Sequence, residues 1–190
     1  MHLKTDVVAV RETAVRREVW VCAAGTVAFA VAMAVAAYVR IPLPFSPVPL
    51  TLQTFIVLLA GATLGPWAGA SSQGLYLAAG ACGAPVFAGG SAGLSGPTVG
   101  YLVAFPLAAW IVGRAAQHSS RWALPFGMVL GTLAIYSLGT LWLSLCMGKS
   151  LAAGALLGIV PFLPGDGLKL AAAISLAGLA RRGYEKAARL

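Results

Sequence analysis

The chain contains few charged residues: they make up only 9% of its 190 positions, and five residues are acidic. Soluble domains carry about 25% charged residues. So few charges cannot cover a surface that faces water, and the composition therefore excludes an ordinary soluble domain. Hydrophobic residues account for 59% of the sequence, which indicates an exterior in contact with lipid. We predict an integral membrane protein with one domain.

Residue patterns of several enzyme classes are also absent. The two histidines, His2 and His118, lie outside the apolar segments, so neither can serve as a base within the membrane. There is no Ser–His arrangement, metal-ligand cluster or C-x-x-C pair. We interpret Cys22, Cys82 and Cys146 as small buried apolar residues. The sequence thus predicts no catalytic residue, no cofactor and no metal, and an intramembrane enzyme is disfavoured.

Six apolar segments follow one another along the chain. The second and third could form one long helix, but Pro66 disfavours helix at Gly65, so we predict a tight helical hairpin. The sixth is interrupted by "PFLPGDG", and its crossing helix is expected to start near Asp166. We predict an all-α membrane protein with six transmembrane helices in a domain at 19–181, between tails at 1–18 and 182–190. The segments are 19–39, 51–64, 66–83, 98–113, 122–147 and roughly 151–180.

The basic residues are distributed asymmetrically about these segments. The net charge of +8 would suggest nucleic-acid binding in a soluble protein, but no basic stripe interleaved with aromatics is present. Six crossings place both termini on one side, and positive charge collects on the cytoplasmic side of membranes. We therefore predict cytoplasmic termini. The ten basic residues on that side are Lys4, Arg11, Arg16, Arg17, Arg114, Arg121, Arg181, Arg182, Lys186 and Arg189.

Three loops on the opposite, outer side are unusual in composition. The first, "RIPLPFSPVPLT", has four prolines, and the second, "GAPVFAGGSAGLSGPT", is rich in glycine. The third is "PFLPGDG". Irregular backbone near membrane depth is tolerated where it lines a cavity. We predict a covered pocket that opens outward, with Gly89 and Gly90 among its residues; the alternative is that the loops are simple connectors.

Asp166 and Lys169 are two charges at the start of the last crossing. Charges in a crossing segment cost about 3 kcal/mol and therefore tend to be functional. Their spacing places them on one helix face. In one interpretation Asp166 only caps the helix and pairs with Lys169; in the other, Lys169 receives a substrate anion. Further candidates at similar depth are Gln53, Thr51, Thr98 and Tyr101, with Phe45 and Phe87 as apolar walls.

Alanines recur every four residues along the first helix. Ala24, Ala28, Ala32 and Ala36 line one face, and small residues let two membrane helices approach closely. The stripe could pack against another helix of this chain or against a partner protein.

Several motifs, taken in order, resemble the BioY family, the biotin-specific S components of energy-coupling factor transporters. They are "PVPLTLQTFIVLLAGATLGPWAG", "YLAAGACGAPVFAGG", "GPTVGYLVAFP" and "PFLPGDGLK". The resemblance implies a six-helix S-component fold in a prokaryotic cell membrane, with a biotin pocket near the outer surface. It also implies partners, namely a transmembrane T component and two cytoplasmic ATPases. The P-G-D-x-x-K pattern falls on Pro164, Gly165, Asp166 and Lys169.

The resemblance further implies that Ala24, Ala28, Ala32 and Ala36 form the docking face for the T component. Biotin has one carboxylate, which Lys169 can meet, and a ureido group, which Asp166, Gln53 or backbone groups of the loops can bind. The chain has no Walker A pattern, so energy from ATP must come from partners. The alternatives are a self-sufficient carrier driven by its own gradient and an S component for another vitamin.

Overall fold

The computed structural model describes the backbone of residues 2–189 and the side chains of residues 16–188. Helices dominate this part of the chain, and one short hairpin of two strands follows the first helix. In chain order the elements are α1 His2–Tyr38, β1 Arg40–Leu43, β2 Ser46–Thr51, α2 Gln53–Leu64, α3 Pro66–Ala81, α4 Val99–Ala115, α5 Ala123–Met147, α6 Leu151–Gly158, a 3₁₀ turn Val160–Phe162, and α7 Leu163–Arg189.

The predicted six-helix architecture is confirmed, with α6 as a short additional helix before the last crossing. The tight hairpin between α2 and α3 is also present. Gly65 separates the two helices with φ +82°, and Pro66 begins α3 at a position where its missing N–H costs nothing. The last apolar segment breaks as expected, and α7 begins at Leu163, three residues before Asp166.

By length and composition, three helical stretches of the described residues can cross a bilayer. They are Arg16–Tyr38, Ala123–Met147 and Leu151–Ala188. Gln53–Leu64 and Val99–Ala115 are apolar but shorter. A straight crossing needs about 20 residues, so the shorter helices depend on their neighbours in the bundle to lie at membrane depth.

The surface of the bundle is apolar and several polar side chains lie inside it. This arrangement suits lipid, where polar groups gain from lying inside the bundle and apolar groups need no cover. The buried polar side chains are Gln53, Thr63, Ser72, Gln73, Thr140, Ser144, Asp166 and Lys169. The exposed large apolar residues include Val27, Val31, Val35, Leu133, Leu141, Leu145, Leu168, Leu176 and Leu179.

The interpretation of all three cysteines as buried was wrong. Cys82 and Cys146 are exposed and Cys22 is partly exposed. A small apolar thiol on a surface that faces lipid is not in water, so the sequence pattern could not distinguish the two environments.

The two ends of the bundle differ in character. At one end, the α2–α3 turn, the loop after α4 and the last turns of α7 meet, and Arg181 Nη1 donates to the Ala116 carbonyl at 2.5 Å. We call this the termini end. At the opposite hairpin end lie the β-hairpin, residues 82–98 and the 3₁₀ turn. Trp20, Trp67 and Trp122 are exposed near the termini end, as expected for an aromatic belt at a membrane interface.

The first loop is more regular than the sequence suggested. Its two strands pair antiparallel, with Arg40 opposite Thr51 and Leu43 opposite Ser46, and the register shifts between Ile41 and Leu43. Prolines are tolerated in edge strands because one side of such a strand makes no ladder hydrogen bonds. The four prolines therefore concealed a strand pattern that the pairing reveals.

Glycines bring the central helices into close contact. A Cβ atom added to Gly61 of α2 would overlap the Ala109 carbonyl of α4 and lie 3.0 Å from the Val112 Cβ atom. One added to Gly113 of α4 would overlap the backbone of Gly65 and Pro66. Between membrane helices such close approach supplies dispersion contacts in place of a hydrophobic driving force.

We expect Gly61→Ala to lower the stability of the bundle because the added methyl group forces α2 and α4 apart. Overpacking of this kind costs about 1–3 kcal/mol. Gly74→Ala is the matched control, since a Cβ atom there has no neighbour within 4 Å and alanine favours helix by about 0.5–1 kcal/mol. Thermal unfolding in detergent measures both, and equal melting temperatures for the two variants would contradict the packing argument.

Candidate functional site

A narrow cavity of about 60 Å³ lies at the hairpin end, between the helices and the loops that cover them. Each of the three loops singled out in the sequence contributes to its wall: Val48 and Pro49 from the first, Ala88 from the second and Phe162 from the third. The helices contribute Gln53, Thr54, Tyr101, Leu102, Phe105, Ile135, Tyr136, Asp166 and Lys169, and the lining is completed by Thr51 at the end of β2 and Thr98 just before α4.

Asp166 and Lys169 form a buried ion pair in the wall of this cavity. The Lys169 ammonium donates to Asp166 Oδ1 at 2.7 Å, and each side chain is only 8% exposed. The second carboxylate oxygen, Oδ2, accepts from the Tyr136 hydroxyl at 2.7 Å. The pair is therefore held by a neighbouring helix as well as by its own, and both hydrogen bonds are charge-assisted.

The break in the last apolar segment explains the position of the pair. The 3₁₀ turn ends at Phe162, and α7 begins immediately after it. Asp166 thus falls in the first turn of α7, where the positive end of the helix dipole favours a carboxylate. Lys169 follows at i+3, on the same face. Asp166 bonds side chains of α5 and α7, so a role limited to capping the helix does not account for its contacts.

A second polar group of the wall centres on Gln53, the first residue of α2. Its amide nitrogen Nε2 donates to the Tyr76 hydroxyl at 2.7 Å, and its Oε1 accepts from the Thr51 hydroxyl at 3.2 Å. Tyr76 in turn donates to the Val86 carbonyl at 3.2 Å. This chain of hydrogen bonds connects α2, α3 and the second loop, and it fixes the orientation of the Gln53 amide.

Thr98 and Tyr101 stand at the start of α4, on the wall as the sequence suggested. The Tyr101 hydroxyl donates to the Gly158 carbonyl at 3.0 Å. Gly139 and Gly158 accommodate the tyrosine, because a Cβ atom at either position would overlap it. Tyr101 therefore connects α4 to the end of α6, just before the 3₁₀ turn that supplies Phe162.

Four other sequence candidates do not line the cavity. Phe45 lies at the hairpin tip and is 59% exposed. Phe87 is buried, but it packs edge-on against Tyr76 with ring centroids 5.4 Å apart and so supports the Gln53 network from behind. Gly89 and Gly90 have positive φ values of +82° and +73° and shape the second loop beside the wall.

The sequence analysis missed most of the apolar wall and one polar partner. Leu102, Phe105 and Ile135 lie within apolar helices, where no sequence signal separates residues that face a cavity from residues that face lipid. Tyr136 was equally hidden, although a hydroxyl inside the apolar α5 is a weak indication of a buried hydrogen bond.

The alanine stripe of α1 is divided between two environments. Ala36 is buried and Ala32 is partly buried, so the hairpin end of the stripe packs within the chain. Ala24 and Ala28 are exposed. Near the termini end, Ala24 also borders a shallow groove lined by Arg16, Arg17, Trp20 and Val21.

The cavity is lined by both apolar side chains and hydrogen-bonding groups. Its apolar walls suit a hydrocarbon chain, and the ion pair and the Gln53 amide supply both donors and acceptors. In the described part of the chain, no group of three His, Cys, Asp or Glu residues is placed to hold a metal ion. The arrangement can bind a small amphipathic molecule that carries polar groups.

Comparison with known proteins gives consistent matches. Residues 10–186 match the BioY family. A probable biotin transporter BioY of Pyrococcus horikoshii is 42% identical over 141 residues, which cover 73% of this chain and 83% of the relative. The biotin transporter BioY of Thermotoga maritima is 39% identical over 154 residues, or 78% of this chain and 89% of the relative.

A solved structure is also similar to this chain. It is the crystal structure of the S-component for biotin from an ECF-type ABC transporter, with a TM-score of 0.75 and 27% sequence identity. The match covers 86% of this chain and 90% of the other.

We expect Asp166→Asn to destabilise the protein strongly, because it leaves the Lys169 ammonium buried without a counter-charge. Breaking a buried pair from one side costs about 3–5 kcal/mol. The double variant Asp166→Asn/Lys169→Met removes both charges and should recover most of that loss. Thermal unfolding in detergent provides the measurement.

Glu185→Gln is the control for the ion-pair variants, since it breaks the exposed pair with Arg181 and should cost less than about 1 kcal/mol. If the double variant were no more stable than Asp166→Asn alone, burial of an unpaired lysine would not be the cause of the instability.

Proposed function

Because the chain belongs to the BioY family, we propose that it is the biotin-binding S component of an energy-coupling factor transporter. It is a multi-pass protein of a prokaryotic cell membrane and transports its substrate without chemical conversion, so it is not an enzyme. Biotin binds in the cavity at the hairpin end. The observation that carries the site assignment is the buried Asp166–Lys169 pair in the wall of an otherwise largely apolar cavity.

The ion pair retains hydrogen-bonding capacity for a ligand. An ammonium has three donors, and Asp166 occupies one of those of Lys169. The others can donate to an oxygen atom of biotin. Asp166 has lone pairs beyond those used by Lys169 and Tyr136, which can accept from a ureido N–H group. An ion pair that can both donate and accept hydrogen bonds suits biotin, whose ureido group also has both donors and acceptors.

The rest of the cavity complements the remaining parts of biotin. Leu102, Phe105, Ile135 and Phe162 supply apolar surface for the hydrocarbon chain and the thioether ring. The Gln53 amide adds a further polar contact, and Thr51 and Thr98 add hydroxyl groups. This division between apolar walls and a few fixed polar groups is the usual composition of a small-molecule site.

Entry of biotin requires the cover of the cavity to move. Ligand pockets commonly measure about 300–1,000 Å³, several times the present volume of about 60 Å³. The β-hairpin is attached to the end of α6 by the Ser46 hydroxyl, which donates to the Leu157 carbonyl at 2.8 Å. Val48 and Pro49 of the hairpin and Phe162 of the α6–α7 connection line the cavity, so a joint outward movement of these two elements would open it.

The hairpin end faces outward and the termini end faces the cytoplasm in this proposal. The excess of basic residues at the termini end supports this orientation. Partners consisting of a T component and two ATPases supply the energy for uptake. Ala24 and Ala28 are exposed small residues on α1 and form the part of the stripe still available for a partner helix.

We expect Lys169→Ala to weaken biotin binding by the purified protein about tenfold or more, because it removes charge-assisted hydrogen bonds worth about 1.5–3 kcal/mol. Isothermal titration with biotin measures the affinity. Lys149→Ala is the control: this exposed lysine lies in the α5–α6 connection outside the cavity and should leave binding unchanged.

Unchanged affinity in a folded Lys169→Ala protein would remove Lys169 from the site. If the unmodified protein instead bound another vitamin more tightly than biotin in a competition titration, the substrate assignment itself would be wrong.

We expect Ala24→Leu/Ala28→Leu to reduce biotin uptake by vesicles that contain the whole transporter, because the larger side chains prevent a close helix contact. Biotin binding by the isolated protein should be unaffected, since both residues lie away from the cavity. Ala172→Leu, at an exposed alanine of α7, is the matched control. Uptake that continues without any ATPase and stops with an uncoupler would indicate a gradient-driven carrier instead.

A further inference from the structure

The cavity wall carries no net charge. Its ionic side chains are Asp166 and Lys169, which neutralise one another at 2.7 Å. Biotin is a monoanion, and an anion that leaves water without a cation to meet it loses several kcal/mol. Lys169 can offer hydrogen bonds, but its charge is already shared with Asp166. The carboxylate of the ligand therefore needs a second cation.

Arg40 is placed at the rim of the cavity by strand pairing. It is the first residue of β1 and lies directly opposite Thr51 of β2. Residues directly opposite each other in an antiparallel pair project their side chains to the same face. Since Thr51 lines the cavity, Arg40 projects on the same face of the hairpin as this wall residue.

The second loop provides an independent indication of the same position. The Arg40 guanidinium lies so close to Gly89 that a Cβ atom added there would be 2.9 Å from its Cζ atom and would overlap Nη1. Gly89 is next in sequence to Ala88, another residue of the cavity wall. The guanidinium thus lies where the hairpin and the second loop meet, beside the cavity-wall residues Thr51 and Ala88.

The guanidinium is available for a ligand. Within residues 16–188, Arg40 makes no ion pair and donates no side-chain hydrogen bond, and it is exposed. The carboxylates in that range are Glu18, Asp166 and Glu185; Asp166 is held by Lys169, and Glu185 is held by Arg181 at the termini end. A guanidinium with free donors can bind a carboxylate through two parallel hydrogen bonds.

We propose that Arg40 binds the carboxylate of the ligand at the cavity rim, while Lys169 and Asp166 bind its uncharged polar groups. This assignment rests on the proposed function and adds a specificity-determining residue to it. It also gives Gly89 a physical role, because any larger residue would displace the guanidinium. Arg40 thereby distinguishes the anionic vitamin from neutral derivatives that share its ring.

The test compares biotin with biotin amide, in which a neutral carboxamide replaces the carboxylate. Both are titrated into the purified full-length protein and its Arg40→Gln and Arg40→Lys variants. We expect Arg40→Gln to weaken biotin binding about tenfold and to change biotin amide binding less than about twofold. Arg40→Lys should retain part of the affinity for biotin, because it keeps the charge and loses the paired donors.

Lys149→Gln is the matched control, since it removes another exposed positive charge from the same end of the protein without altering the cavity wall. An equal loss of biotin affinity in this control would indicate a general effect of net charge and would overturn the proposal. So would an equal loss for both ligands in Arg40→Gln, which would indicate altered loop structure.

Unchanged biotin affinity in Arg40→Gln would also overturn the proposal and would fit an arginine that contacts lipid headgroups. In that case biotin binding by the unmodified protein would still stand. Failure of the unmodified protein to bind biotin would instead refute the proposed function, and the role of Arg40 with it.

Discussion

A buried pair of opposite charges, Asp166 and Lys169, sets the main constraint on this structure. Inside a bilayer an isolated charge is expensive, so each member of the pair needs the other and further hydrogen bonds. Tyr136 supplies one of them from α5. The start of α7 supplies a favourable dipole. Contacts from α5 and α7 thus hold this polar site in place within an apolar interior.

The helices and loops around this polar site position it and cover it. Close helix contacts at Gly61 and Gly113 keep the centre of the bundle rigid, while the elements above the cavity are held by a few hydrogen bonds such as Ser46 to Leu157. This contrast in packing suits a protein that must retain a precise site and still admit a ligand. Elements with few buried contacts are the ones that open at low free-energy cost.

Helix α1 runs from the termini end to the hairpin end of the molecule. It therefore connects the two proposed binding sites, the docking face for the T component and the cavity for biotin. Its hairpin end is anchored by Tyr38, whose hydroxyl donates to the Pro85 carbonyl at 2.6 Å, and buried Ala36 belongs to the packed interior. At the termini end, Ala24 and Ala28 remain exposed. A ligand can influence a distant partner only by binding two conformations differently, and α1 is a continuous element through which such a difference can pass.

The sequence by itself determined the membrane class, the six-helix architecture, the break before α7 and the candidates Thr51, Gln53, Thr98, Tyr101, Asp166 and Lys169, all of which line the cavity. Hydropathy, proline positions and a charged residue within an apolar segment are local properties of the sequence, and they can be recognised without knowing what lies nearby in the fold. Only the tertiary structure decided which side chains share one cavity, because that depends on helix rotation and strand pairing. The tertiary structure places Phe45 and Phe87 outside the cavity wall and Tyr136 in it. It also brings the Arg40 guanidinium close to Gly89, through a β-hairpin that the four prolines of the first loop had concealed in the sequence.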